Sequence, residues 1–209
     1  MTDEIQKIYT ARIICSEMLS DRGYDVDSLK NKIILPMNNF RELYHNNDID
    51  LYVKHNTDKS NKLYLKFFKN KKKINESDLK RESAFISEKT GHGSDYNGDP
   101  NIIMVSREKP PSNVYNIIGT EKYQNIEIFI LNSLQFNPTK HFLVPKHSRI
   151  TPEEQKNILQ FYKCEKKDLP KLSVNDPIAK YHGMKTGEIC KIERVSETTG
   201  FSNFYRHVK

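Results

Sequence analysis

Apolar residues in the first part of the chain recur at the spacing of amphipathic helices. Between residues 4 and 22 an apolar side chain appears every three or four positions, which predicts a helix with one buried face. The positions on that face are Ile5, Ile8, Ala11, Ile14 or Cys15, and Met18. Gly23 follows and can adopt the left-handed conformation that closes a helix. Pro36 suits the first turn of a second, shorter helix, which carries Met37, Phe40, Leu43 and Tyr44.

The next ninety or so residues alternate strand-like and helix-like runs. The predicted strands cover residues 49–54, 63–68, 102–105 and 126–131. The first two enclose a polar turn, which predicts a hairpin. A helix is predicted over residues 77–88, with Leu79, Phe85 and Ile86 facing inward, and a shorter one follows Pro110-Pro111-Ser112. Alternating helices and strands predict an α/β (α+β) domain with a partly parallel sheet.

Asn137-Pro138-Thr139 is the predicted boundary between two domains, because proline restricts the chain and the sequence character changes after it. We therefore predict an N-terminal domain over residues 1–137 and a C-terminal domain over residues 138–209. In the second, Thr151-Pro152-Glu153-Glu154 predicts a helix with a capping box. Asp176-Pro177 begins a short helix that Gly183 closes, and strands are predicted at residues 188–195 and 203–208. This small mixed α/β domain is near the lower size for independent folding, so docking on a partner would stabilise it.

Composition narrows the function classes. Hydrophobic residues make up 36% and charged residues 29%, which is polar but compatible with a folded protein. The net charge of +7 fits either a solvated lysine-rich surface or proximity to nucleic acid. Three isolated cysteines without metal-binding spacing indicate a reducing compartment. No run is apolar enough for a membrane span and the N-terminus does not resemble a signal peptide, which predicts a soluble intracellular protein.

Few groups in the sequence suggest chemistry. The glycine-containing loop at residues 91–99 lacks the Gly-Lys-Ser/Thr of a phosphate-binding loop and is expected to be a surface loop. Within the lysine run at residues 69–73, Lys71–Lys73 could contact phosphate or could be a solvated cluster. The seven histidines have no spacing that places two metal ligands on one helical face. No cofactor and no metal site are expected.

A metal-dependent nuclease is the remaining enzymatic interpretation. Such enzymes need a carboxylate on one strand and a carboxylate-x-Lys pair on the next. Asp48 and Asp50 lie at the first hairpin strand, and Lys66 lies on the second, but Tyr64 stands where the second acid is required. The pair is missing where the chemistry needs it.

Four segments of the C-terminal domain carry a family resemblance. They are HFLVPKH at 141–147, DPIAKYHGMKTGE at 176–188, KIERVSETTG at 191–200, and Tyr205-Arg206. In order and spacing they resemble the C-terminal domain of the fifth subunit of eukaryotic DNA-directed RNA polymerases, a domain that is equivalent to a small subunit of the archaeal polymerase. Met184 stands where that family normally has leucine.

The front of the chain also resembles the eukaryotic form of this family. The similar segments are SEMLSDRGYDV at 16–26, LPMNNFRELY at 35–44 and the strand LYLKFF. The archaeal counterpart lacks such a front domain, so the resemblance implies a eukaryotic-type chain from a nucleus or from a large DNA virus. The loop at 91–99 departs from the family pattern.

The resemblance implies a non-catalytic polymerase subunit. Its C-terminal domain would dock on the largest subunit, while its front domain, an endonuclease-like α/β fold, would form part of a jaw near downstream duplex DNA. It implies a nuclear protein if cellular, or one in the virion or host cytoplasm if viral. The DNA-proximal residues would be Pro110, Pro111 and Ser112. The partner-docking residues would be Pro145, Lys146, His147, Asp176, Pro177, Tyr181, Gly183, Arg194, Glu197 and Arg206.

Two alternatives remain open from the sequence. The chain could be a free-standing basic nucleic-acid-binding protein or a divergent nuclease. Within the docking set, Pro177, Tyr181 and Gly183 could instead serve only the folding of the C-terminal domain, because caps and turns account for them.

Overall fold

The described residues form two four-stranded sheets, one in each of two units, Met1–Phe136 and Asn137–Lys209. We call these the first unit and the tail unit. The computed structural model describes residues 2–89, 101–120, 123–196 and 200–209. The predicted loop at residues 91–99 lies outside the described residues. Helices combined with two mixed sheets confirm the predicted α/β class.

Helix α1 spans Thr2–Asp21 and buries one face, as its periodicity predicts. The buried apolar residues include Ile5, Ile8, Ala11, Cys15 and Met18. Cys15 rather than Ile14 belongs to the buried face. Arg12 is also fully buried, which the pattern did not predict. Gly23 has a φ of 89°, and a Cβ there would lie 2.8 Å from the His55 ring, so both the backbone angle and the space favour glycine.

Two short helices follow α1. Helix α2 spans Lys30–Ile33 and was not predicted, whereas α3 spans Met37–His45 close to its predicted place. Pro36 is the residue before α3 rather than part of its first turn. Phe40 is buried and its ring centroid lies 5.0 Å from that of Tyr9, which holds α3 against α1. No helix in the described part of the chain is long and apolar enough to cross a bilayer.

The sheet of the first unit has the strand order β1-β2-β3-β4. The strands are Leu51–Lys54, Lys62–Phe67, Asn101–Ser106 and Ile126–Ile130. Strands β1 and β2 form the predicted antiparallel hairpin, while β2, β3 and β4 are parallel. Parallel neighbours require crossover connections, and α4, Glu76–Lys89, and α5, Ser112–Ile118, lie in those connections. The partly parallel sheet is therefore confirmed.

One of the three residues predicted to face the core from helix α4 is exposed instead. Leu79 and Ile86 are fully buried, but the side chain of Phe85 is 47% exposed. Leu79 and Ile86 are seven residues apart, close to two full turns, and so share a face. Phe85 lies about 100° around the helix from Ile86, because one turn contains 3.6 residues. The inward position predicted for Phe85 is therefore wrong.

The tail unit contains the second sheet, in the order β5-β7-β8-β6. Its strands are Lys146–Arg149, Lys171–Leu172, Ile189–Ser196 and Gly200–Val208, numbered β5 to β8 along the chain. Strands β7 and β8 lie where the sequence predicted strands, although β8 begins three residues earlier. Strands β5 and β6 were not predicted, because they are short and take their pairing from distant segments.

Two capped helices complete the tail unit. Helix α6, Pro152–Tyr162, begins with the predicted capping box, in which Thr151 and Glu154 each accept from the other's backbone N–H. Helix α7 spans Pro177–Tyr181. The buried apolar cluster of this unit is small and consists of Leu172, Ala179, Met184, Cys190, Ile192 and Val208.

The three cysteines are free thiols with different environments. Cys15 and Cys190 are buried, and Cys164 is partly exposed. Burial raises the pKa of Cys15 to about 12 and that of Cys190 to about 11. Thiolate is the reactive form, so both buried thiols should resist alkylation.

We expect a neutral thiol reagent at pH 8 to label Cys164 alone in the folded chain and all three cysteines in urea, counted by mass spectrometry. A raised thiol pKa contributes stability that is complete below the unfolded value near 8.5 and is lost as pH rises through the folded values. The urea midpoint should therefore fall above about pH 9. Rapid labelling of three thiols in the folded chain would contradict the burial.

Candidate functional site

The β7–β8 ribbon places the two predicted docking arginines on one of its faces. Arg194 lies opposite Ser202, and Arg206 lies opposite Cys190. Alternate residues of a strand share a face, so both arginines lie on the same side of the ribbon as the core residues Cys190 and Ile192. Arg206 Nη1 donates a hydrogen bond to the Lys171 carbonyl at 3.3 Å. Glu197, the predicted docking residue between these strands, lies outside the described residues.

One end of this ribbon exposes apolar side chains on both faces. The Arg194 guanidinium lies over the Phe204 ring, 4.8 Å from its centroid. On the opposite face Val195 and Phe201 are cross-strand partners whose side chains are 79% and 85% exposed. We call Arg194, Val195, Phe201 and Phe204 the hairpin end. An exposed apolar patch of this kind is typical of a surface that contacts another molecule.

The sequence predicted Arg194 as a docking residue but not Val195, Phe201 or Phe204, the other three residues of the hairpin end. For Val195 the sequence did carry a signal. Alternation places Val195 on the same side of β7 as the polar residues Lys191 and Glu193. An apolar residue after two polar positions is a weak signal of a covered surface, because the same side of β7 also holds the buried Ile189. Phe201 could be recognised only after the register had placed it opposite Val195.

The predicted residues of β5 point to different sides of the tail sheet. His147 lies opposite Ile192, whereas Lys146 lies opposite Glu193. Lys146 Nζ is 3.4 Å from Glu193 Oε2. Together, Lys191 and Lys146 hold the pKa of the Glu193 carboxyl below its usual range. A hydrogen bond of 2.7 Å joins His147 Nδ1 to the Pro145 carbonyl, so Pro145, Lys146 and His147 form one ordered edge.

The four predicted docking residues around α7 make contacts within the tail unit. Asp176 Oδ1 accepts from the Ile178 and Ala179 N–H groups at 2.8 and 3.4 Å, and Pro177 follows as the first helical residue. Tyr181 is buried, and its hydroxyl accepts from Asn137 Nδ2 at 3.0 Å.

Gly183 has a φ of 61°, as the end of α7 requires. These contacts favour the structural interpretation of Pro177, Tyr181 and Gly183.

The predicted DNA-proximal segment lies at the start of α5. Pro110 is buried, whereas Pro111 and Ser112 are exposed. Pro111 precedes the first helical residue, and its carbonyl accepts from the Val114 N–H at 3.0 Å. Of the three predicted residues, only Pro111 and Ser112 can therefore present side chains to DNA.

The tertiary structure brings the lysine run beside this segment. The Glu108 N–H donates to the Lys72 carbonyl at 2.8 Å, and Lys73 Nζ is 3.6 Å from Glu108 Oε2. Lys72, Lys73 and Lys109 are all exposed, and we call them the lysine cluster. In the described part of the chain, the ammonium groups of Lys72 and Lys109 have no carboxylate within ion-pair distance. Exposed ammonium groups of this kind can bind phosphate.

The Asp50 carboxylate is engaged by neighbouring donors. Its Oδ1 accepts from the Phe67 N–H at 2.9 Å, and its Oδ2 accepts from Lys66 Nζ at 2.8 Å and from the Tyr64 hydroxyl at 3.3 Å. Lys66 Nζ also lies 3.8 Å from Glu82 Oε2. Burial and the Asp50 charge raise the pKa of Tyr64, so its hydroxyl remains a donor.

This arrangement differs from the nuclease pattern. Among the residues that the structure describes, no three His, Cys, Asp or Glu side chains are grouped so that they could hold a metal ion. Asp50 instead joins β1 to β2 through its hydrogen bonds, and the described geometry offers no support for the nuclease interpretation.

Comparison with known proteins gives matches across both units. Residues 2–84 match the family described as RNA polymerase Rpb5, N-terminal domain, and residues 136–208 match RNA polymerase Rpb5, C-terminal domain. The chain is 32% identical to DNA-directed RNA polymerases IV and V subunit 5B of Arabidopsis thaliana, covering 98% of this chain and 91% of that protein. It is 29% identical to DNA-directed RNA polymerases I, II, and III subunit RPABC1 of Caenorhabditis elegans, with coverages of 98% and 97%. The corresponding Dictyostelium discoideum subunit is 28% identical, with 98% of both chains covered.

Proposed function

We propose, from the premise that this chain belongs to the RNA polymerase Rpb5 family, that it is a non-catalytic subunit whose tail unit docks on the largest subunit of its polymerase. Family membership itself makes the chain a structural subunit of a DNA-directed RNA polymerase. If the chain is cellular, it would function in the nucleus. If it is viral, it would function in the virion or the host cytoplasm.

The hairpin end is the observation that carries the docking proposal. Val195 and Phe201 form an apolar pair in water, and Phe204 with Arg194 occupies the other face of the same ribbon. Aromatic and arginine side chains are enriched at the centres of protein interfaces, where their burial contributes most to affinity. The family resemblance implies that the largest polymerase subunit is the partner that binds this surface. The ordered edge at Pro145, Lys146 and His147 would extend the same contact.

The first unit is proposed to act as a jaw beside downstream duplex DNA. The lysine cluster supports this role, because it lies next to Pro111 and Ser112, the exposed part of the DNA-proximal segment. Lysines on a surface bind phosphates without reading sequence, so the contact would be sequence-independent. A non-catalytic role is supported by the Asp50 carboxylate, whose two oxygens are occupied by donors of the same unit.

Co-purification tests the docking proposal directly. A tagged chain expressed in its native source should recover the large polymerase subunits in stoichiometric amounts after washing at moderate salt. Recovery of the chain without them would overturn the proposal and would favour the free-standing nucleic-acid-binding alternative. Cleavage of DNA by the purified chain with Mg²⁺ or Mn²⁺, lost on Asp50→Ala, would favour the nuclease alternative.

The isolated chain should bind duplex DNA weakly, with a Kd above about 1 μM at physiological salt, because few phosphates contact the lysine cluster. In fluorescence anisotropy, two duplexes of unrelated sequence should bind equally. Lys72→Ala should reduce the slope of log Kd against log salt by about one unit. Lys59→Ala removes another exposed lysine, from the β1–β2 turn, and should leave that slope unchanged. Submicromolar affinity would count against the subunit proposal.

A further inference from the structure

Arg12 is a buried cation whose hydrogen-bonding capacity is mostly unused. Its side chain belongs to α1 and is 1% exposed. Nη1 donates to the Lys32 carbonyl at 2.7 Å, and the guanidinium lies 5.8 Å from the centroid of the Phe40 ring. Nε is buried and has no acceptor among the residues that the structure describes. A buried donor without a partner is costly, so such a group indicates an absent ligand or water.

Arg12 lines a cavity in the first unit with a volume of about 910 Å³. The cavity lies between the α2–α3 segment and the hairpin strands β1 and β2. Leu35, Leu43 and Tyr52 contribute apolar surface to its wall, and Asp48 contributes a carboxylate. A volume of this size is typical of sites that hold an organic molecule or a short peptide segment. Arg12, with its under-used guanidinium, therefore forms part of the wall of a space large enough for a ligand.

We propose that this cavity is a binding site for an organic carboxylate with an apolar body, and that Arg12 recognises the carboxylate. Because Nη1 is held by the Lys32 carbonyl, the edge formed by Nε and Nη2 remains for the ligand. This edge presents two parallel N–H groups that match the two oxygens of a planar carboxylate. The leucine and tyrosine side chains of the wall would cover the apolar body.

The charges around the cavity favour a singly charged carboxylate over a phosphate dianion. Arg12 and Lys32 contribute positive charge, but Glu42 and Asp48 line the same space. Asp50 also lines it, although Lys66 neutralises that carboxylate at 2.8 Å. A second negative charge on the ligand would be repelled by the acidic residues, since like charges in a partly desolvated site interact strongly.

The Arg12 Nε–H signal in a proton–nitrogen NMR spectrum reports directly on this site. It can be assigned by its absence from the spectrum of Arg12→Lys. Titration with 3-phenylpropionate should move it in a saturable manner, whereas the neutral amide 3-phenylpropionamide and inorganic phosphate should bind at least about tenfold more weakly. The blocked dipeptides acetyl-Phe-Glu-amide and acetyl-Phe-Gln-amide distinguish a side-chain carboxylate of a partner from that of a small molecule.

Matched variants complete the test. Arg12→Met should weaken 3-phenylpropionate binding at least about tenfold, because it removes the fork but keeps an unbranched apolar side chain. Arg22→Met should leave the affinity unchanged, since Arg22 is bound by Glu127 at 3.0 and 2.8 Å and does not line the cavity. The titration of the wild-type chain still tests carboxylate binding at Arg12 if Arg12→Met does not fold.

Three outcomes would overturn the proposal. The acid and the amide could bind equally, phosphate could bind as tightly as the acid, or no compound could move the Arg12 signal, in which case water alone satisfies Nε. None of these outcomes affects the polymerase-subunit proposal, because docking is measured separately by co-purification.

Discussion

The double substitution Val195→Asp with Phe201→Asp is expected to remove the chain from its polymerase while leaving the tail unit folded. Both residues are almost fully exposed in the isolated chain, so carboxylates there remain hydrated, and the repulsion between two like charges on paired strands costs at most about 1 kcal/mol. In the assembly the same positions would be covered. Burying one valine or phenylalanine contributes about 1.5–3 kcal/mol, and an unpaired buried carboxylate adds a penalty. Association should weaken at least about 100-fold.

Co-purification and circular dichroism together measure this prediction. The variant should lose the large subunits from the pull-down but keep the far-ultraviolet spectrum of the wild type, with a urea midpoint only slightly lower. Phe161→Asp is the matched control, because Phe161 lies on α6 of the same unit and is 79% exposed. It should retain the polymerase. Loss of the polymerase by both variants would show that exposed apolar surface of the tail in general, and not the hairpin end, carries the docking.

The second large effect concerns Asp78, a fully buried carboxylate near the start of α4. Its Oδ1 accepts from Lys71 and from Arg81 Nη2 at 3.3 Å, and its Oδ2 accepts from the Asn75 N–H at 3.2 Å. Asp78→Ala would remove the acceptor that holds the Asn75 N–H at the start of α4, whereas Lys71 and Arg81, which are 43% and 62% exposed, would turn to water. We expect the free energy of unfolding to fall by about 1–2 kcal/mol, measured by urea denaturation.

The effect of Asp78 should depend on pH. Burial alone would raise the pKa of this carboxyl, but the hydrogen bonds from Lys71 and the Asn75 N–H outweigh it, so the pKa is lowered. A lowered pKa gives stability that is present above the unfolded value near 3.9 and is lost as pH falls through the folded value. The difference in stability between the wild type and Asp78→Asn should therefore shrink below about pH 4.

Glu76→Ala is the matched control for Asp78. Glu76 occupies the same helix and pairs with Lys80 at 2.6 Å, but both side chains are largely in solvent. Exposed pairs contribute little, so the urea midpoint should hardly change. A loss for Glu76→Ala as large as that for Asp78→Ala would indicate that α4 is sensitive to any lost charge pair and that burial of Asp78 is not the cause.

Several parts of the fold could be predicted because their signals are local. The burial of α1 follows from apolar spacing, the start of α6 follows from the Thr151 capping box, and the β1–β2 hairpin follows from two strand-like runs around a polar turn. Each depends on residues that are close in the chain. Phe85 shows the limit of this reasoning, because small errors in helical phase move a residue from the core to the surface.

Other features could not be predicted because they depend on contacts between distant segments. Strand β6 has two residues and exists only through its pairing with β8. Arg12 interrupts an otherwise apolar face, so the sequence gives no sign that a charged residue there is buried. The lysine run and the DNA-proximal segment are more than 30 residues apart and meet through the Lys72 carbonyl and the Glu108 N–H.

By itself, the sequence determined the class of fold, the positions of most long elements and the resemblance to a polymerase subunit. Periodicity, helix caps and motifs each depend on residues that are close together in the sequence. The tertiary structure decided which side chains meet. It placed Val195 opposite Phe201, brought lysines beside Pro111 and Ser112, and put Arg12 in the wall of a cavity. The physical reason is that register and long-range packing depend on the free energy of the whole fold, which no single segment contains.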